Sequence, residues 1–141
     1  MSNPNVNLKK IGWILRVGMF GEFFGHGIFA IGFIKFFTFN PKANFVAMLT
    51  AMTGGLIVGD LAKNIMVFIG FIDVIIAFMA LIFPFRLMLI WASIWGFLTA
   101  VARPVGGDPI WDFVERWGNW AGPLALLYLR GFPKKLKDLF S

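Results

Sequence analysis

Glu22, His26 and Asp73 are the side chains of this sequence best placed to do chemistry, because each lies inside a long apolar run. A charge at the centre of a bilayer costs roughly 2.5–3.5 kcal/mol on insertion scales, so such residues call for a partner or a polar cavity. Glu22 and His26 are one helical turn apart and share a face. Asp73 sits near the middle of a later run, at a depth expected to match that of Glu22. Two carboxyls and one imidazole can therefore meet. Together they would form a proton relay or the polar end of a quinone pocket, or hold a metal, or bind an anion or substrate with Arg16. The plainer reading is a hydrogen-bonded cluster that fixes helix register. One His with two distant carboxylates lacks the tight spacing of a metal site, so no metal is expected.

A second polar group is Arg103, Asp108, Asp112, Glu115, Arg116 and Asn119. Asp112 and Glu115 are three apart on a helix, and Arg116 is four from Asp112 and can pair with it. Arg103 is placed to fold back onto Glu115. This group reads as an interfacial ion-pair network that anchors the last helix. It also reads as a docking surface, or as a headgroup or cofactor-phosphate site. Lys134, Lys135 and Lys137 form a basic tail suited to anionic lipid headgroups.

The elements that must position these residues are read from hydropathy. Residues 1–10 form a polar tail. A first helix runs from Ile11 to about Ile34, long enough to cross a hydrocarbon core of ~30 Å. Its length, with Glu22 and His26 inside it, argues against a cleaved signal peptide. Gly18, Gly25 and Gly32 recur on one side of it, and Gly21-x-x-x-Gly25 is a close-packing signature. Glu22 and His26 therefore border the face expected to meet other helices. Further helices are expected from about Phe45 to Gly59, Ile65 to Phe83 and Leu87 to Ala102, with a tight turn at Asp60, Lys63 and Asn64. Residues 11–107 then form an antiparallel bundle of four transmembrane helices.

Residues 108–130 are ambiguous. Asp108-Pro109 suits a helix start, and Trp111, Trp117 and Trp120 suit a headgroup depth. Four polar or charged groups make a simple span costly. The reading is an interfacial or re-entrant amphipathic helix packed on the bundle, followed by the basic tail 131–141. With four spans, Lys9, Lys10, Lys63, Arg103, Arg130, Lys134, Lys135 and Lys137 fall on one side. Lys35, Lys42 and Arg86 fall on the other, so both termini are expected to be cytoplasmic.

Composition agrees with a membrane protein. Of 141 residues, 59% are hydrophobic and 14% charged, against about 25% charged in soluble domains. There is no cysteine, which excludes thiolate zinc, iron–sulfur clusters and thiol redox chemistry by the chain itself. One histidine excludes a bis-histidine haem within one chain; a quinone enters only as one reading of the Glu22, His26 and Asp73 group. The net charge of +6 is what basic membrane flanks carry, so nucleic acid is not an expected partner. Membrane lipids, other membrane subunits or a second copy are. No nucleophile–His–acid set, glycine-rich phosphate loop or Walker lysine is present, so catalysis by the chain alone is not expected.

The layout resembles the DoxX and DoxX-like family of small four-helix membrane proteins. The resemblance rests on Leu15-Arg16-Val17-Gly18 and on Gly70-Phe71-Ile72-Asp73-Val74-Ile75-Ile76-Ala77, closed by Pro84-Phe85-Arg86. It rests also on Thr99-Ala100-Val101-Ala102-Arg103-Pro104, Glu115-Arg116-Trp117-Gly118-Asn119 and Pro123-Leu124-Ala125-Leu126-Leu127. Asp73 stands where that family usually has glutamate. The resemblance covers most of residues 11–129 and maps Arg16 and Asp73 onto family positions. It implies a bacterial inner-membrane accessory subunit of a quinone-linked redox or respiratory complex. The competing functions are a small oligomeric transporter or channel, and an anchor or assembly protein docking a soluble partner.

Overall fold

The computed structural model describes residues 4–35 and 38–141. Its order is α1 (Pro4–Ile31), β1 (Phe33–Lys35), β2 (Thr38–Phe39), α2 (Ala43–Met52), α3 (Gly59–Ile82), α4 (Arg86–Val105), α5 (Ile110–Val114) and α6 (Trp117–Arg130). A short 3-10 turn, Leu136–Phe140, follows. Three helical stretches, Asn7–Ile31, Gly59–Ile82 and Arg86–Val105, are long and apolar enough to cross a membrane. They carry exposed Ile14, Phe68 and Ile82, a surface that suits lipid and is costly in water. These are features of an integral membrane protein.

Helix α1 starts at Pro4, well before the expected boundary at Ile11. Proline presets the helical φ and lacks only a bond that the first turn does not make. Helix α2 has 10 residues, about 15 Å at ~1.5 Å each, and is half the length of a span. It stops short of the expected Gly59 because Gly54 and Gly55 adopt φ of 60° and 83°, the left-handed region that breaks a helix. Two threonines knit this turn: Thr50 Oγ1 donates to the Ile57 carbonyl at 2.8 Å, and Thr53 Oγ1 to that of Leu49 at 3.0 Å. Asp60, Lys63 and Asn64, expected as a turn, instead lie in the first turns of α3, where Asp60 suits the positive end of the helix.

Helices α1 and α3 run antiparallel, because Arg16 meets Ala80 while Gly27 meets Gly70. A Cβ at Gly27 or Gly70 would fall 2.7 Å from the other's carbonyl oxygen. Among the glycines of these two helices, Gly27 and Gly70 make the close approach between α1 and α3. The expected Gly18, Gly21 and Gly25 stripe faces outward, with nothing within 4 Å of a Cβ at any of the three. Pro84 ends α3, and α4 returns beside it.

Helix α6 packs antiparallel on α4. Pro123 lacks the N–H that would bond the Asn119 carbonyl. Gly96 of α4 lets that carbonyl come close, 2.5 Å from where a Cβ would stand. The core joins Met19 and Phe23 of α1, Ile76, Ala77 and Ala80 of α3, Met88, Leu89 and Ala92 of α4, and Leu126 and Leu127 of α6. The fourth helix of the bundle is therefore α6, not the expected second helix. The expected single helix over 108–130 is divided at Glu115 and Arg116.

This arrangement re-sorts the ends. The start of α1, the α3–α4 link and residues 131–141 share one end, here called the near end. The β-hairpin, α2, the start of α3 and the α4–α5 link share the far end. Lys63 and Arg103 thus stand with Lys35 and Lys42 at the far end, and Arg86 joins Lys9 and Lys10 at the near end. Residues 131–141 are docked, not free. Phe140 stacks on Phe85 at 6.4 Å. Arg86 donates to the carbonyls of Gly131, Arg130 and Asp138 at 2.6, 2.6 and 3.2 Å.

Candidate functional site

The antiparallel register of α1, α3 and α4 brings His26, Asp73 and Trp95 to one level near mid-span. There a partly open cavity of about 170 Å³ lies between these helices and α2. Its walls are mainly apolar, including Met48, Leu49, Met52 and Met66, and its polar side chains are His26, Asp73, Thr99 and Arg103. Its volume is close to the about 150 Å³ that holds a benzene ring in an apolar protein cavity.

Asp73 is 4% exposed and accepts a hydrogen bond from Trp95 Nε1 at 3.0 Å. That indole provides a donor at a depth where water is scarce. His26 lines the same cavity. Its Nε2 is 3.4 Å from Glu22 Oε1, and its ring meets Phe45 edge-on at 5.9 Å. Glu22 does not line the cavity; it stands behind His26 toward the outer face of α1, with its side chain 36% exposed.

At the far end Phe45 sits between two cations, the Arg103 guanidinium at 5.4 Å and Lys42 Nζ at 6.0 Å. Arg103 pairs with Asp108 at 3.3 Å, not with Glu115 as expected. The cavity therefore grades from a cationic, aromatic mouth through a methionine-lined throat to a carboxyl–indole pair.

Arg16 is not part of this group. It lies ten residues before His26, about 15 Å along α1, and donates through Nε to the Ala80 carbonyl at 3.0 Å and through Nη2 to that of Leu81. Those carbonyls lie in the last turn of α3, so Arg16 caps that helix. In the second cluster, Arg116 pairs with Glu115. It meets Asp112 only through the backbone carbonyl, at 2.9 Å, not through the carboxylate as expected. Asn119 is buried, and neither its Nδ2 nor Trp120 Nε1 has a hydrogen-bond partner among the described residues. Lys134, Lys135 and Lys137 are exposed at the near end.

Sequence reasoning missed Trp95, Phe45 and the methionine lining. Trp95 was detectable in principle: a tryptophan in mid-helix, away from the headgroup belt, carries an N–H that needs an acceptor. Among the described residues no three His, Asp or Glu side chains gather to hold a metal ion. The chain matches no protein-family model, no curated protein and no solved structure.

Proposed function

We propose that this protein is an accessory membrane subunit of a quinone-linked redox assembly and that its mid-span cavity takes the head ring of a quinone. One observation carries this reading: a mainly apolar cavity of about one ring whose wall also holds an imidazole, a carboxyl–indole pair, a threonine and an arginine. A mainly apolar cavity with a few hydrogen-bonding side chains in its wall suits a ring that carries carbonyl oxygens, whose chain would leave toward lipid. The DoxX-like resemblance points the same way. Catalysis by this chain alone is not part of the proposal.

The subunit character rests on α1. Its outward face carries Glu22 among Gly18, Gly21 and Gly25, and a carboxyl facing lipid at that depth is costly. A neighbouring helix packed on the glycines would cover it. The same outward face favours a second reading, a homo-oligomeric transporter or channel in which Glu22 lines a seam between copies. In the proposed topology α1, α3 and α4 span the bacterial inner membrane and α6 packs on them part-way. The near end faces the cytoplasm, because among the described residues Lys9, Lys10, Arg16, Arg86, Arg130, Lys134, Lys135 and Lys137 gather there with one acidic side chain, Asp138. At the far end Asp60, Asp108, Asp112 and Glu115 offset the cations.

The test is purification of the full chain from native membranes in mild detergent, with mass spectrometry of co-purifying proteins and quinones. The reading expects stoichiometric redox subunits and bound quinone, with quinone lost in His26→Ala and Asp73→Asn. Recovery of the chain with copies of itself only, and no quinone, would replace it with the transporter or channel.

A further inference from the structure

A second cavity, of about 340 Å³, opens at the near end between the start of α1 and the end of α6. Its lining carries the cations Lys9, Arg16 and Arg130 together with apolar Trp13, Leu126 and Leu129. The Arg16 guanidinium lies over the Trp13 ring at 4.2 Å. Arg16 Nε and Nη2 bind the end of α3, which leaves Nη1 without a partner among the described residues. Arg86 adjoins this group through the Arg130 carbonyl.

Among the described residues no acidic side chain lines this cavity. The Asp138 side chain lies at this end, and its Oδ2 accepts from the backbone N–H groups of Lys134 and Lys135 at 3.0 Å each. Arg130 feels the imbalance: burial first, then the like charges of Arg86 and Arg16, push its guanidinium below the usual range.

We infer that this cavity binds a phosphate monoanion or diester, its charge held by Lys9, Arg16 and Arg130, with the headgroup of an anionic phospholipid as the source the apolar part of the lining favours. A guanidinium offers donors that match phosphate oxygens, and Trp13, Leu126 and Leu129 would lie against the first methylenes of the acyl chains. This site is distinct from the mid-span cavity and does not depend on the quinone reading.

The experiment is native mass spectrometry of the delipidated full chain. The chain is incubated with phosphatidylglycerol, with phosphatidylcholine, or with phosphatidylglycerol plus millimolar inorganic phosphate. Expected is retention of phosphatidylglycerol about tenfold over phosphatidylcholine, reduced to near parity by Lys9→Gln with Arg130→Gln. Both substitutions leave the Arg16 cap of α3 in place. A control with Lys134, Lys135 and Lys137 changed to Gln keeps the preference. Competition by inorganic phosphate would assign the same site to free phosphate; no competition assigns it to lipid. Equal retention of the two lipids without a phosphate effect overturns the proposal. So does a preference that survives Lys9→Gln with Arg130→Gln, or one lost only in the tail control.

Discussion

The two cavities share helix α1 yet organise polar groups in opposite ways. The mid-span cavity holds few polar groups, and each is matched: the carboxyl of Asp73 to an indole, His26 to Glu22, Arg103 to Asp108. The near-end cavity holds cations with no acidic side chain among the described residues of its lining. A low-dielectric interior leaves an unmatched group expensive, so the inner site is balanced within the chain. At the headgroup level anionic lipid surrounds the protein, so an uncompensated positive group is sustainable there. The difference follows from depth, and depth follows from the register of α1 against α3.

That register offers the largest way to break the comparison. Gly70→Val would drive a Cβ and its methyls into the Gly27 carbonyl. Destabilisation by about 3 kcal/mol is expected, read by denaturant unfolding in detergent, with both cavities lost together. Gly21→Val, where a Cβ meets nothing, should leave the isolated chain within about 0.5 kcal/mol of the wild type while releasing any neighbouring helix. An equal loss in both variants would refute the assignment of the close approach to Gly27 and Gly70.

The next effect separates the two ends. Arg16→Gln removes charge-assisted bonds to the end of α3 and should cost about 2 kcal/mol, with weaker anionic-lipid retention and little change in quinone occupancy. Trp95→Phe should do the converse. It leaves Asp73 without its indole donor, costs about 1 kcal/mol and lowers quinone occupancy several-fold while lipid retention holds. If either variant moves both readouts equally, the sites are not independent. The smallest effect belongs to the mouth: Asp108→Asn breaks the pair with Arg103, which is only partly buried, and should cost under about 1 kcal/mol.

Much of the inner site could be read in the sequence, because mid-helix depth follows from hydropathy alone. Asp73, His26 and the stop at Pro84 needed no tertiary information, whereas Glu22, read with them, stands outside the cavity. The identity of the fourth bundle helix did. In α2, consecutive left-handed glycines cut a run that hydropathy counts as continuous. In α6, a buried Asn119 and Pro123 dilute the apolar signal of a helix that nonetheless supplies Leu126 and Leu127 to the core. The glycine pattern misled for a related reason: Gly21-x-x-x-Gly25 gives the spacing of a close contact but not its partner. The contact that forms, Gly27 with Gly70, joins two segments separated by a helix and a hairpin. Arg16 was grouped with His26 by residue type, whereas its partners are backbone carbonyls, which a sequence does not distinguish.

The cap that Arg16 places on α3 also bears on the order of synthesis. The carbonyls of Ala80 and Leu81 would otherwise face hydrocarbon or the headgroup edge, where unbonded backbone groups are costly. Their donors belong to a helix that leaves the ribosome some 65 residues earlier. During insertion α1 is therefore present, at the right depth, before the end of α3 arrives to need it. A rearranged chain carrying the same helices, but with α1 translated last, would have to hold that end open through the whole of assembly.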